Sequence, residues 1–265
     1  MQKILKSRDK DDNLIFCIGY NKTGTTSLYH SIINLGFQGY SDNMMANAEF
    51  IMKDAMIEYS NIRNFSAVSS GIPLHNNFDA ISEWVEKMKM YKTEHVTGML
   101  LKNVVVFKDI PFSLPIIWRK LYQKYPNAKF ILSERDSEDQ WYDSICKFHQ
   151  KGLFSDMLKL DGQQTSWADV SKIHYRYESF LHDYLFFVNS YGFNKGKSVG
   201  LPYNKKSMIA SYNLHNKEVK GFFNGKDNFI AVNVSNNNDY LKLCSFLNTK
   251  PVADKFLKLK VTKDM

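Results

Sequence analysis

Short apolar runs alternate with stretches of helical periodicity along most of the chain. Leu14-Ile15-Phe16-Cys17-Ile18 is continuously apolar and ends at Gly19, the pattern of a strand buried on both faces. After a Gly/Thr-rich turn, Leu28, Ile32, Ile33 and Leu35 fall at helical spacing, with Gly36 as the stop. Residues 37–40 read as a second short strand, and 46–63 and 78–91 as helices. Val104-Val105-Val106-Phe107 predicts the next strand, ended by Asp109 and Pro111, and 113–125 predicts a helix that stops before Pro126. Residues 129–133 predict another buried strand, followed by an acidic helix start at Asp136, Ser137 and Glu138 and a helix through Phe148. The stretch 155–223 reads as mostly helical, with an exposed loop over 191–206. A last strand over 229–234 precedes a last helix over 238–247. This alternation predicts an α/β fold of three layers, α/β/α, around a central, mostly parallel sheet. No repeat or linker breaks it, so 14–265 is expected to be a single domain behind an N-terminal extension, 1–13.

Composition narrows the classes. With 265 residues, 44% hydrophobic and 23% charged, the chain can bury a large core and does not have the make-up of a disordered protein. Lys and Arg number 35 against 27 Asp and Glu, a net charge of +8, which suits a polyanionic ligand without naming one. Three scattered cysteines, Cys17, Cys146 and Cys244, exclude a disulfide framework, and neither they nor the histidine spacings suggest a metal site. The apolar run at Leu14 is far below the roughly 18 residues of a spanning helix, so no membrane span is expected. Asp11 and Asp12 do not suit the basic start of a signal peptide. A cytoplasmic location follows as the expectation, with a lumenal one left open if a leader has been removed.

The most informative stretch is Gly19-Tyr20-Asn21-Lys22-Thr23-Gly24-Thr25-Thr26-Ser27-Leu28, where a buried strand gives way to a helix. Free backbone N–H groups and the helix dipole make such a junction an anion site. Gly19 and Gly24 let the backbone bend close to a phosphate, Lys22 adds a point charge, and Thr25, Thr26 and Ser27 add hydroxyl donors. It is not a Walker A loop, which needs Gly-Lys-Ser/Thr at the helix start. Here the lysine stands two residues before Gly24, within reach of the junction between a terminal group and its leaving oxygen.

Lys22-Thr23-Gly24-Thr25-Thr26-Ser27-Leu28 after an Ile-Phe-x-x-Gly strand resembles the 5′-phosphosulfate loop of sulfotransferases that use PAPS (3′-phosphoadenosine-5′-phosphosulfate). Three further segments agree, in the family's order. Ser133-Glu134-Arg135 through Ser144 resembles the 3′-phosphate element, with Arg135 and Ser144 as the matching residues, nine apart where the family usually has eight. Phe107-Lys108-Asp109-Ile110-Pro111, followed by Tyr125-Pro126-Asn127-Ala128-Lys129-Phe130, resembles the branch with Asp-Leu/Ile-Pro where other members carry a histidine base. Tyr212 through Phe223 and Asp239 through Leu247, with its Leu-Cys-x-Phe-Leu, resemble the C-terminal packing elements, in which Cys244 is an apolar filler. Phe256-Leu257-Lys258-Leu259-Lys260 departs from the family's C-terminal segment and leaves Lys258 and Lys260 unassigned.

The resemblance implies a P-loop-like sulfotransferase architecture and an enzyme moving the sulfuryl group of PAPS to a hydroxyl or amine, leaving adenosine 3′,5′-bisphosphate. Asn21, Lys22, Thr23, Gly24, Thr25, Thr26, Ser27, Arg135 and Ser144 would hold the nucleotide. Lys22 would stabilise the leaving oxygen and Asp109 would act as base. Sulfuryl transfer is expected to rest on positioning and charge stabilisation, with no metal. It also implies Trp141 near the adenine. The seven histidines read as surface or packing residues, His215 being the one with a modest claim on the nucleotide site. The acceptor would be a small molecule, a glycan or a lipid, not a nucleic acid; its identity and the oligomeric state are not legible. Trp84, Tyr91, Phe112, Trp118 and Trp167 would line an apolar acceptor pocket or pack the core. Two rivals stay open: a nucleoside-triphosphate-dependent P-loop kinase, and a non-catalytic protein binding an anionic polymer through its basic face.

Overall fold

The computed structural model describes residues 14–39, 75–90, 102–151, 165–173, 180–191 and 200–259. The expected helix over 46–63, the extension 1–13, Tyr91 and Lys260 lie outside them. The described residues form β1 (Leu14–Cys17), α1 (Thr25–Asn34), β2 (Phe37–Gln38), α2 (His75–Met90), β3 (Lys102–Lys108), α3 (Pro115–Lys124) and β4 (Lys129–Glu134). Then come α4 (Glu138–Lys151), α5 (Trp167–Ser171), α6 (Phe180–Ser190), α7 (Lys205–Phe222), β5 (Phe229–Asn233) and α8 (Asn237–Phe246).

The five strands make one sheet in the order β2-β3-β1-β4-β5, and every pairing is parallel. Helices cover the sheet in a three-layer α/β/α arrangement, as the alternation of patterns predicts. β1 stands at the centre, and all four of its residues are fully buried, which is why it reads as an unbroken apolar run. Phe16 anchors the core, with ring centroids at 5.3 Å from Phe107, 5.8 Å from Phe112 and 5.4 Å from Phe130. Each stacking pair of this kind adds about 0.5–1.5 kcal/mol beyond the area it buries. Because later strands add on both sides of β1, its carboxyl end is the switch point at which open α/β sheets bind ligands.

Two boundaries differ from expectation for local reasons. α3 starts at Pro115 rather than near 113 because a turn intervenes, closed by Ser113 N–H to Asp109 O (3.2 Å) and Leu114 N–H to Pro111 O (3.0 Å); proline's fixed φ then suits the first helical position. The expected exposed loop over 191–206 is pinned where it is described. Asn189 Nδ2 donates to Pro202 O at 2.6 Å, Tyr142 Oη to Tyr203 O at 2.9 Å, and Asn204 caps α7 by accepting from Ser207 N–H at 3.0 Å. No helix among the described residues is long and apolar enough to cross a membrane.

Candidate functional site

The register of β1 on β3 sets Cys17 beside Lys108. The chain leaves the sheet one residue later on each strand, so Asp109 and the loop from Gly19 start side by side. α1 begins after that loop with Gly24 as its N-cap, no side-chain cap and no acid in its first turn. The first N–H groups of the helix are therefore neither capped by a side chain nor countered by charge, as an anion site requires. Lys22 and Gly24 both have left-handed backbones (φ 69° and 88°), and the N–H of Thr23 between them turns back to Tyr20 O at 3.3 Å.

Three side-chain donors hold the loop's carbonyls from behind. Thr23 Oγ1 donates to Tyr20 O at 2.6 Å, Trp141 Nε1 to Asn21 O at 3.0 Å, and Arg135 Nε to Lys22 O at 2.7 Å. The structure thus brings Asn21–Ser27 and Arg135 together. Thr23 is fully buried and also shares a 2.6 Å hydrogen bond with Ser133 Oγ, so its hydroxyl serves as a brace. The Ser27 hydroxyl is taken by the C-terminal segment: it accepts from Leu259 N–H at 3.2 Å and donates to Leu259 O at 3.4 Å. Asn21 holds a buried Oδ1 that has no hydrogen-bond partner.

The glycines answer to more than a ligand. A Cβ on Gly19 would lie 2.3 Å from Ser133 Oγ and 2.6 Å from Ser133 O, and one on Gly24 would lie 2.3 Å from Val234 Cγ2. Close approach of neighbouring chain demands glycine at both positions, in addition to the room expected for a phosphate.

Lys22 sets its ammonium 3.7 Å from the Phe148 ring centroid, a cation–π contact that fixes a flexible side chain. Asp109 also has a left-handed backbone, φ 62°, and receives Lys108 Nζ on Oδ2 at 3.0 Å. Among the described residues the non-glycine positive φ values belong to Lys22, Asp109 and Asn248. Asn248 follows the end of α8, where such a conformation is ordinary. The other two are the candidate catalytic pair, and strained backbone of this kind persists where surrounding structure holds it.

Arg135 lines a cleft of about 300 Å³ whose walls carry two lysines, Lys217 and Lys220, and three acids, Glu134, Asp136 and Glu138, beside Ser137, Tyr212, Asn213 and Asn216. Burial draws the guanidinium's pKa down, the mark of a cation short of solvent that an anion would relieve. Ser144 is half-buried on α4 and is not among the residues lining that cleft, whereas Ser137 is; the ninth-residue spacing was the sequence signal of this difference. Asn213, Asn216 and Lys217 belong to the segment read as a packing element, and they line this cleft as well.

The expectation for Trp141 is corrected, and His215 takes the packing role expected of the histidines. Trp141 is fully buried, stacked on Tyr212 at 4.6 Å and bonded to the loop, so its ring is packed inside the protein and not open to an adenine. His215 is also fully buried, stacked on Tyr20 at 4.1 Å, with Nε2 at 2.9 Å from Ile18 O; it supports β1 from behind. Trp84, Phe112 and Trp118 are core residues, and Trp167 donates to Gly200 O at 2.7 Å. Cys244 is buried, in keeping with a filler. A family model described as a sulfotransferase domain matches residues 14–265. A search of curated proteins finds no match to this chain.

Proposed function

The chain belongs to the sulfotransferase domain family, and from that premise we propose that it moves the sulfuryl group of PAPS to an acceptor hydroxyl or amine. The observation that carries the reading is the uncapped start of α1 at the sheet's switch point, with left-handed Lys22 and Asp109 beside it. PAPS supplies an activated sulfuryl group and two anionic ends. The free N–H groups of residues 24–26, with the Thr25 and Thr26 hydroxyls, suit the 5′-phosphate. Arg135 and the polar cleft it lines suit the 3′-phosphate end, with Ser137 a better-situated hydroxyl than Ser144. Lys22 stabilises negative charge developing on the leaving oxygen. Asp109 takes the acceptor's proton, and Lys108 keeps its carboxylate in place. Residues 14–265 are read as one domain behind the extension 1–13.

The test compares Lys22→Ala and Asp109→Asn in radiolabelled sulfate transfer from PAPS and in binding of adenosine 3′,5′-bisphosphate. Asp109→Asn should bind the nucleotide normally and lose about 10²–10⁴-fold in turnover, the worth of a well-placed base. Lys22→Ala should abolish turnover. Near-normal rates in Asp109→Asn would place the base elsewhere. A wild-type protein that binds ATP with Mg²⁺ in preference to the bisphosphate would favour the kinase reading.

A further inference from the structure

One face of α7, with Tyr212, Asn213, Asn216, Lys217 and Lys220 at helical spacing, forms a wall of the Arg135 cleft. Several charges of the cleft are spent inside the protein. Lys220 pairs with Glu134 at 2.7 Å, and Asp136 Oδ1 accepts from Asn233 Nδ2 at 2.5 Å. Among the described residues neither Arg135 nor Lys217 makes an ion pair. The cleft therefore keeps two cations for an anionic ligand.

Two polar groups of the same wall have hydrogen-bonding capacity left over. Tyr212 Oη accepts from Arg135 N–H at 3.0 Å and from the Asn216 side chain, so both its lone pairs are engaged. Burial raises the phenol's pKa and keeps its proton on, yet among the described residues no group accepts that proton. Asn216 is 7% exposed, and its Oδ1 has no hydrogen-bond partner, although buried polar side chains almost always find one. The wall thus sets an unused donor beside an unused acceptor, both next to Arg135.

Resting on the PAPS reading above, we propose that this pair reads the ribose of the nucleotide. Tyr212 Oη donates to an oxygen of the 3′-phosphate, and Asn216 Oδ1 accepts from the 2′-hydroxyl. The site then selects ribonucleotides over 2′-deoxyribonucleotides. The two ligand groups stand on neighbouring ribose carbons, and their chemistry is the complement of the pair on α7. A phosphate dianion only accepts, which matches Tyr212; the hydroxyl beside it has a proton to give, which matches Asn216. A 2′-deoxyribose leaves the Asn216 carbonyl without a donor once the ligand has closed the cleft. Sites built to hydrogen-bond a substrate hydroxyl reject the analogue that lacks it for this reason.

Isothermal titration of adenosine 3′,5′-bisphosphate and of its 2′-deoxy analogue tests the assignment on the wild type, Asn216→Leu and Tyr212→Phe. The wild type should bind the ribonucleotide about tenfold more tightly than the deoxyribonucleotide. Asn216→Leu keeps the size of the side chain and removes the carbonyl, so the ratio of the two affinities should fall close to one. Tyr212→Phe should weaken both ligands alike, because both carry the 3′-phosphate, and leave the preference in place. A wild type that binds the two nucleotides equally overturns the proposal, and that comparison needs no variant to fold. A preference kept in Asn216→Leu, or affinities unchanged in Tyr212→Phe, overturns it as well. Failure of the PAPS reading shows separately, as a wild-type protein that binds neither bisphosphate.

Discussion

The Arg135 guanidinium donates through Nε to the main-chain carbonyl of Lys22 at 2.7 Å, so the residue that ends β4 holds the loop that ends β1. The same side chain lines the cleft assigned to the 3′-phosphate end. Lysine offers donors from one point and cannot both hold the carbonyl and present a fork. Arg135→Lys should weaken binding of adenosine 3′,5′-bisphosphate by about tenfold or more and lower the melting temperature slightly, as read by calorimetry and thermal denaturation. Unchanged affinity would reduce Arg135 to a clip for the loop.

The two loop glycines should respond differently to rescue. A Cβ on Gly24 meets only the Val234 side chain, so Gly24→Ala suffers that clash and a left-handed backbone cost of about 1–2 kcal/mol. Adding Val234→Ala should recover the clash and leave the backbone cost. At Gly19 the Cβ also meets the main chain of Ser133 at 2.6 and 2.8 Å. Gly19→Ala should cost about 1–3 kcal/mol or more, and Ser133→Ala should not restore it. Urea denaturation of the four variants decides the matter, and equal rescue at both sites would contradict it.

What was readable in the chain was local. The continuous run at Leu14, the stop at Gly36 and the place of the Gly/Thr loop as a strand-to-helix turn carry their meaning within a few residues, and the structure agrees with each as an element. The roles of Trp141, His215 and Ser27 depend on partners 120, 197 and 232 residues away. Nothing near them in sequence announces those contacts. The resemblance puts Trp141 beside a nucleotide, whereas it is buried behind the loop it supports. α3 starts later than its apolar spacing predicts because a turn and a helix share that spacing, and the hydrogen bonds to Asp109 O and Pro111 O make the turn.

Thr23 and Thr26 look equivalent in the motif and should behave oppositely. Thr23 spends its hydroxyl on Tyr20 O and Ser133 Oγ inside the protein. Thr23→Val should therefore destabilise the fold by about 1–3 kcal/mol, the cost of orphaning buried partners. Thr26 stands half-buried at the helix start. Thr26→Val should leave stability within about 0.5 kcal/mol and weaken nucleotide binding. Thermal melts paired with bisphosphate titrations test both, and a stability loss in Thr26→Val equal to that of Thr23→Val would refute the distinction.

His149 and His215 should make the protein labile to mild acid. Burial holds the His149 imidazole down at about 3, with Lys22 adding to the effect, and burial holds His215 down at about 4. In the unfolded chain both take up a proton near pH 6.5, so above that pH neither state is charged and neither histidine costs anything. As the pH falls below 6.5 the unfolded chain gains protons that the folded one refuses, and stability drops until the folded pKa values are reached. Each histidine should remove about 2 kcal/mol between pH 7.5 and 5, a range in which few carboxylates titrate. His215→Gln has no proton to take up there and should show a smaller fall by about that amount, whatever its stability at pH 7.5. Chemical denaturation of wild type and variant at both pH values measures the difference, and equal falls would mean that His215 is protonated in the folded protein after all.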